Sequence, residues 1–510
     1  MSRSGAFFRR AGLALAVWAC SLALYGLYFQ GQWIYGERPV IHITGDEPHY
    51  LLIATSLLRD GDLDVLNNYR DKHYQPFYPY HLGDARQPED MHALYGPSGG
   101  LYSKHGVGLP LLLLPAMRLG GTGEGHGLAI VFMLGVAAAL STQIFLLARE
   151  TTGRAVVAIV AWSAVAFTSP LLLYAGQIYP EVPGALLVVW GVRAVWRASA
   201  RAPSEGAGAD PRAGAALRLG LAVALLPWLH LRYVPLAAVL AVAGLLVCAP
   251  HWRARLRRRR SDFWSQGFGL RASGLGLLIP VVAGSLLLAL NWHLFGGLPA
   301  AGEYGTFAVQ NVLTGTPGLF FDQQFGLLVY APVYLIALFG LPLVPRSLPG
   351  LRGAVLLATL GLYTLFVAAF SYWYGAYSPP SRMLVPVLPL LVAPLALALA
   401  EWRAVPFRLV SAALLLLSWS IARLLMDVPR LRYNLPTGRS EMLAYLSTTW
   451  GQDVTAYVPS FVLPTPAAYA WAVVATFLLW LLYLSLTSGA WGGRASRAPR
   501  RRLTSASLEP

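Results

Sequence analysis

"GLAIVFMLGVAAALSTQIFLLARETTGRAVVAIVAWSAVAFTSPLLLYA", residues 127–175, decides the class of fold. Two apolar runs, 127–148 and 155–175, contain no charged residue and meet at Arg149, Glu150 and Arg154. A helix rises ~1.5 Å per residue, so roughly 20 residues cross a hydrocarbon core ~30 Å thick. Each run is long enough for one crossing, and the arginines between them mark a turn at a membrane surface.

The same pattern recurs along the whole chain. With 510 residues, 56% hydrophobic and 12% charged, and a mean hydropathy of +0.53, the composition is that of a polytopic membrane protein. The formal net charge of +16 sits largely in short clusters such as HWRARLRRRR (251–260) and RASRAPRRR (494–502), between or after apolar runs. That is the positive-inside distribution, so membrane lipids and no nucleic acid are the expected partners of these clusters. Residues 11–29 follow Arg9 and Arg10 and read as a signal anchor. The two cysteines, Cys20 and Cys248, both fall in apolar runs, so no disulfide framework is implied.

Placing every basic cluster inside threads the chain. The first span leaves near Gln30, and a first outer loop, 31–105, follows. The segment GVGLPLLLLPAMRLGG (106–121) is short and holds two prolines, and reads as re-entrant or interfacial. Spans then follow at 127–148, 155–175, 182–196, 216–229, 233–249, 273–294, 326–344, 353–371, 383–400, 409–426 and 467–488. The expectation is one all-α polytopic domain over 1–510, with about twelve transmembrane helices plus the re-entrant piece. A late outer loop lies at 427–466, a basic cytoplasmic tail at 489–510, and both termini are inside.

On this threading the chemically capable residues share the outer face. In TGDEPHYLLIATSLLRDGDLDV (44–65), Pro48 suits the first turn of a helix running to about Arg59, with Asp46 or Glu47 as its cap. Tyr50, Ile53, Ala54, Leu57 and Leu58 recur at helical spacing opposite His49, Ser56 and Arg59, so this helix is expected to lie along the membrane face. Asp46 is either a cap alone or a general base toward an acceptor hydroxyl or amine. Lys104, His105, Arg232 and Arg382 form a cationic set, and arginine's planar fork matches phosphate oxygens. Arg232 and Arg382 run against the positive-inside bias and therefore call for a reason. Tyr374 and Tyr377, in SYWYGAYSPPSR, suit either an interfacial belt or a sugar-stacking platform. Glu181 and Asp322 are further outward carboxylates. No Walker loop, zinc-type histidine pair or GxSxG elbow is present.

The stretches GDEPHYLLIATSLLRDGDLDV, YSKHGVGLPLLLLP and YGAYSPPSRMLVPVLPLL resemble those of GT-C glycosyltransferases, and the resemblance spans most of the chain in order and topology. The nearest groups are the protein O-mannosyltransferases and lipid A aminoarabinose transferases. The resemblance implies sugar transfer from a polyprenyl-phosphate donor to a cell-envelope acceptor on the periplasmic side of a bacterial inner membrane. It assigns Asp46 as the base with Glu47 beside it, and Lys104, His105 and Arg382 to the donor phosphate. Arg232 joins them by sidedness, and His49, Tyr50, Glu181, Tyr374 and Tyr377 are candidate acceptor or sugar contacts. No cofactor is required, and a divalent cation on Asp46, Glu47 or Glu181 is an option. Two motifs depart from the family's pattern: His105 is followed by Gly106 and Val107 rather than paired prolines, and SPPSR replaces the usual Ser-x-Gly-Pro-Arg. Two other readings stand beside it. A transporter or flippase would carry ionisable residues at mid-membrane depth, and an O-antigen ligase or polymerase would usually have a larger late loop.

Overall fold

A computed structural model of the chain describes residues 3–34, 43–83, 91–199, 211–256, 267–297 and 305–487. The expected basic tail at 489–510, arginines 257–260 and the stretches 35–42 and 84–90 of the first outer loop lie outside these residues. The fold is mostly helical and polytopic. Its helices of twelve or more residues are α1 (Arg3–Ile34), α2 (Glu47–Arg59), α3 (Gly108–Thr152), α4 (Ala155–Ala166), α5 (Glu181–Ser199), α6 (Pro211–Leu229), α7 (Val234–Leu256), α8 (Gly267–Phe295), α9 (Leu351–Ala368), α10 (Val405–Asp427) and α11 (Pro466–Thr487). One small antiparallel hairpin, β1 (Ala93–Tyr95) and β2 (Leu101–Ser103), pairs Leu94 with Tyr102 in the first outer loop.

Six helices among the described residues are long and apolar enough to cross a bilayer: Ala11–Phe29, Gly125–Thr152, Leu278–Phe295, Leu351–Ala368, Val405–Asp427 and Pro466–Ser485. Six more apolar helices are shorter, including Gly108–Gly121, Ala155–Ala166 and Leu388–Glu401. Several runs expected to be single spans are therefore interrupted, and proline supplies the reason because it lacks the N–H that a continuing helix needs. Residues 326–344 break into Leu327–Tyr330, Tyr334–Gly340 and a 3-10 turn at Leu341–Leu343, around Pro332 and Pro342. Residues 383–400 open as 3-10 turns at Arg382–Leu384 and Leu388–Leu391, around Pro386 and Pro389, before Val392–Glu401. The segment 106–121 is helical, and its helix is set off from the long span by a break at Gly121 (φ 70°, ψ −177°).

Two packing features order these elements. α6 and α8 approach backbone to backbone where Gly220 faces Gly276, and a Cβ at Gly220 would lie 2.9 Å from the Gly276 Cα. The segment between α1 and α3 has its own small core of Leu52, Ile53, Val65, Tyr69, Tyr74, Leu82, Met91, Ala93 and Leu101. α2 is wedged between that core and the main one, which takes Tyr50, Leu51 and Ala54. Because residues 50–54 are all buried, along with His49 and Ser56, the first half of α2 presents no polar face to water. The polar face expected from His49 and Ser56 is therefore packed inside the protein over this half of the helix. α5 is polarised. Glu181 stands at its first residue, while Arg193 and Arg197 near its other end both pair with Glu150.

Candidate active site

Asp46 occupies the N-cap position of α2, but its side chain makes no capping hydrogen bond. The carboxylate turns away and accepts from Arg382 Nη2 at 2.5 Å, while His92 Nδ1 lies 3.7 Å from its other oxygen. The cap reading thus gives way to an ion pair across the fold, joining residues more than three hundred positions apart. Gly45 makes this turn feasible. Its φ of +60° is costly for a side-chain-bearing residue, and a Cβ there would run into the Tyr179 hydroxyl and lie 3.2 Å from the Tyr377 carbonyl. The Tyr179 hydroxyl also accepts from the Asp46 backbone N–H at 3.3 Å.

Arg382 is 6% exposed and is fixed on three sides. It donates through Nε to Glu181 at 2.7 Å, through Nη2 to Asp46, and through Nη1 to the Gly375 carbonyl at 3.4 Å. Its guanidinium carbon lies 4.4 Å from the centroid of the Tyr179 ring. Glu181, fully buried, also pairs with Arg232. The result is an alternating chain, Asp46–Arg382–Glu181–Arg232, in which two carboxylates balance two guanidiniums. Burial opposes ionisation of Asp46, but the charge of Arg382, with His105 and His92 beside it, outweighs this and holds its carboxyl well below the usual range.

A histidine cluster closes the other side. His92 Nδ1 and His105 Nε2 are 3.2 Å apart, and the His49 ring stacks on His92 at 4.4 Å. The Tyr69 hydroxyl donates to the Met91 carbonyl at 2.7 Å, so it receives the His49 Nδ1 hydrogen, also at 2.7 Å. Burial pushes His105 down to about 3, so at neutral pH it acts as a hydrogen-bonding or metal-ligating ring rather than a cation. Asp46, His92 and His105 offer three ligand atoms within 4.8 Å of one another and could hold a divalent cation.

The carboxylates that the sequence offers to an optional cation are Asp46, Glu47 and Glu181, and two of these are engaged elsewhere. Glu47 accepts from the Ile178 N–H at 2.8 Å and the Thr44 N–H at 3.1 Å, clamping the first outer loop to the segment before α5. Burial, as the largest cause, raises its carboxyl to about 7. Glu181 is committed to the two arginines. Asp322 is likewise structural, because its oxygens accept from the backbone N–H groups of Gln324, Phe325, Phe461 and Val462.

Asp46, Lys104, His105, Arg232 and Arg382 line one cavity of about 580 Å³. The same lining has an apolar part, made by Leu287, Leu290 and Leu294 of α8 with Phe307, Phe366 and Phe370. Tyr50 packs on His105 with ring centroids 4.7 Å apart. Tyr374 and Tyr377 stand outside the cavity lining, the first against Phe325 and the second stacked on Tyr433 at 5.2 Å. His92 was not singled out from sequence. The signal for it was ALYGPSGGLYS, two short strand-like runs around a Gly/Pro turn, whose pairing puts His92 opposite Lys104. In the hairpin, the Lys104 N–H donates to the His92 carbonyl at 2.8 Å.

No protein-family model matches the chain, and no curated protein matches it in sequence. Among solved structures, it is similar to ArnT from Cupriavidus metallidurans in the apo state, at 14% identity and a TM-score of 0.48, over 94% of this chain and 79% of that one. The same protein bound to undecaprenyl phosphate aligns at 14% identity and a TM-score of 0.44, over 96% and 80%. The archaeal oligosaccharyltransferase AglB from Archaeoglobus fulgidus aligns at 13% identity and a TM-score of 0.45, over 82% of this chain. The aligned region spans 56% of the length of that oligosaccharyltransferase.

Proposed function

We propose that this chain is an integral membrane glycosyltransferase of the GT-C type that moves a sugar from a polyprenyl-phosphate donor to an acceptor on the outer face of the membrane. One observation carries the reading: a single cavity combines a cationic and an apolar lining. Arg232, Arg382, Lys104 and Asp46 line it together with leucine and phenylalanine side chains. A polyprenyl-phosphate sugar combines the same two chemistries, an anionic phosphodiester and an isoprenoid chain. The Arg232 Nε is buried without a hydrogen-bond partner among the described residues, a donor suited to a phosphate oxygen.

In the reaction, the acceptor oxygen attacks the anomeric carbon from the face opposite the phosphate. The bond from that carbon to the phosphate oxygen breaks, its electron pair leaves with the phosphate, and the acceptor proton passes to Asp46. The product is inverted. Arg382 and Arg232, with Lys104, receive the charge developing on the phosphate. A low carboxyl pKa makes Asp46 a weak base, which suits a step in which bond breaking to a good leaving group runs ahead of proton loss. Glu47 acts as a clamp that positions Asp46 rather than as a reacting group.

A second reading of the phosphate end rests on the converging ligand atoms of Asp46, His92 and His105. A divalent cation held there would act as a Lewis acid toward the donor phosphate. The transporter reading finds less support, because the buried ion chain lies at one end of α5 and the structural pair Glu150–Arg193 at the other.

Binding of radiolabelled polyprenyl phosphate to the purified protein tests the cavity assignment. Leu290→Trp, which fills the apolar wall, and Arg382→Lys, which removes the planar fork, should each weaken binding roughly tenfold or more in protein whose melting temperature is maintained. Wild-type affinity in both variants would refute it.

A further inference from the structure

A second cavity, of about 190 Å³, lies away from the cluster just described. It is formed by the last turns of α2, the loop at 73–77 and the break in α3, with Thr55, Arg59, His73, Arg118 and His126 in its lining. No carboxylate is among the described residues that line it. α2 starts at Asp46's neighbour and ends at Arg59, so its length of thirteen residues sets this cavity roughly 20 Å from the active carboxylate.

Four features identify the ligand chemistry. Arg59 and Arg118 are exposed and come from different elements, yet both open onto the same small space, and two imidazoles complete it. His73 Nδ1 accepts from the Asn68 amide at 3.0 Å, which leaves the ring proton on Nε2 as a donor. The nearest outward carboxylate on α2's end, Asp60, is taken up by Asn67 and Asn68 at 3.1 and 2.7 Å and is not in the lining. The helix carrying Arg118 is bare and apolar beside the cavity: Leu119 is 82% exposed, and Leu111, Leu112 and Leu128 are exposed as well. Two outward arginines oppose the positive-inside bias, and a basic notch flanked by uncovered leucines has the layout of a headgroup seat beside acyl chains.

We infer that this cleft binds the phosphate headgroup of an anionic outer-leaflet phospholipid, at a site separate from the donor cavity. The inference shares with the proposed function only the outward placement of this end of the molecule. The guanidiniums of Arg59 and Arg118 hold the phosphate, the two histidines donate at its edge, and the acyl chains lie along the Leu119 side.

The test is native mass spectrometry of the full-length protein in neutral detergent with equimolar phosphatidylglycerol and phosphatidylcholine. The wild type is expected to retain one phosphatidylglycerol in clear preference. The Arg59→Gln/Arg118→Gln variant should lower its affinity by about 30-fold, roughly fivefold for each charge removed at a membrane surface. Arg59→Lys/Arg118→Lys should keep most of it, which separates loss of charge from misfolding. Equal retention of the two lipids by the wild type, or wild-type selectivity in the glutamine variant, would overturn the inference. Displacement of the lipid by ~10 mM inorganic phosphate would also overturn it in favour of a free-anion site. Polyprenyl phosphate binding, measured on the same preparations, is expected unchanged in the glutamine variant, so failure here is distinguishable from failure of the donor cavity.

Discussion

Glu181→Gln is the perturbation that most directly probes the buried charge chain. Glu181 is fully buried and serves both Arg382, at 2.7 Å, and Arg232. Its removal leaves two guanidiniums and one carboxylate, Asp46, in the same enclosure. Arg382 retains that carboxylate at 2.5 Å, so the uncompensated charge falls on Arg232, whose side chain is 12% exposed. Breaking a buried pair by deleting one partner costs about 3–5 kcal/mol. The cavity beside Arg232 admits water, which puts the expected loss at the lower end, about 3 kcal/mol. The assay is reversible unfolding in mixed micelles by denaturant titration, with the Glu181→Gln/Arg232→Met double variant beside it. Deleting the orphaned cation as well should recover most of the loss, because an apolar replacement of a whole buried pair is often near neutral. Wild-type stability in Glu181→Gln, or additive losses in the double variant, would refute the counter-ion argument.

Three further outcomes follow from the geometry. Asp322→Ala strips acceptors from four backbone N–H groups, each costing about 1–3 kcal/mol when left buried and unpaired. It should therefore destabilise the protein by about 4 kcal/mol or more in the same titration, with proteolysis appearing first in the segment around 458–463. Gly45→Ala forces a left-handed conformation at a cost of about 1–2 kcal/mol and pushes against Tyr179. Its turnover should drop by about a hundredfold, as Asp46 is displaced, while donor binding stays near normal. If the cation reading holds, chelation should abolish transfer and His92→Ala should raise the metal concentration needed for half-maximal activity by roughly 10–100-fold. Indifference to both treatments would remove the metal from the mechanism.

Much of the architecture was readable because membrane insertion imposes simple rules. Apolar runs such as 127–148, with no charge, and 409–426, with Arg423 alone, became helices flanked by arginines, and the start of α2 followed from Pro48. The interrupted runs at 326–344 and 383–400 were read as continuous because apolarity was weighed above Pro332, Pro342, Pro386 and Pro389. At the site, the residue types were visible but their partners were not. Asp46 and Glu47 are adjacent, yet one faces Arg382 and the other clamps Ile178, since neighbours at a helix start point in different directions. Glu181 entered as an isolated carboxylate, because its pairing with Arg232 and Arg382 is a product of tertiary packing. His92 stayed hidden for lack of a motif, although the hairpin pattern around it was there to be used.

The central claim is that Asp46 takes the acceptor proton while a polyprenyl-phosphate sugar sits in the cavity lined by Arg232 and Arg382. The most direct measurement is transfer of label from a panel of polyprenyl-phosphate sugars by the purified protein in liposomes, comparing wild type with Asp46→Asn at matched folding and matched donor binding. The account predicts transfer from at least one monophosphate donor and a fall of about 10²–10⁴-fold in the variant. Transfer by Asp46→Asn at the wild-type rate, or none from any monophosphate donor by folded wild-type protein, would contradict it.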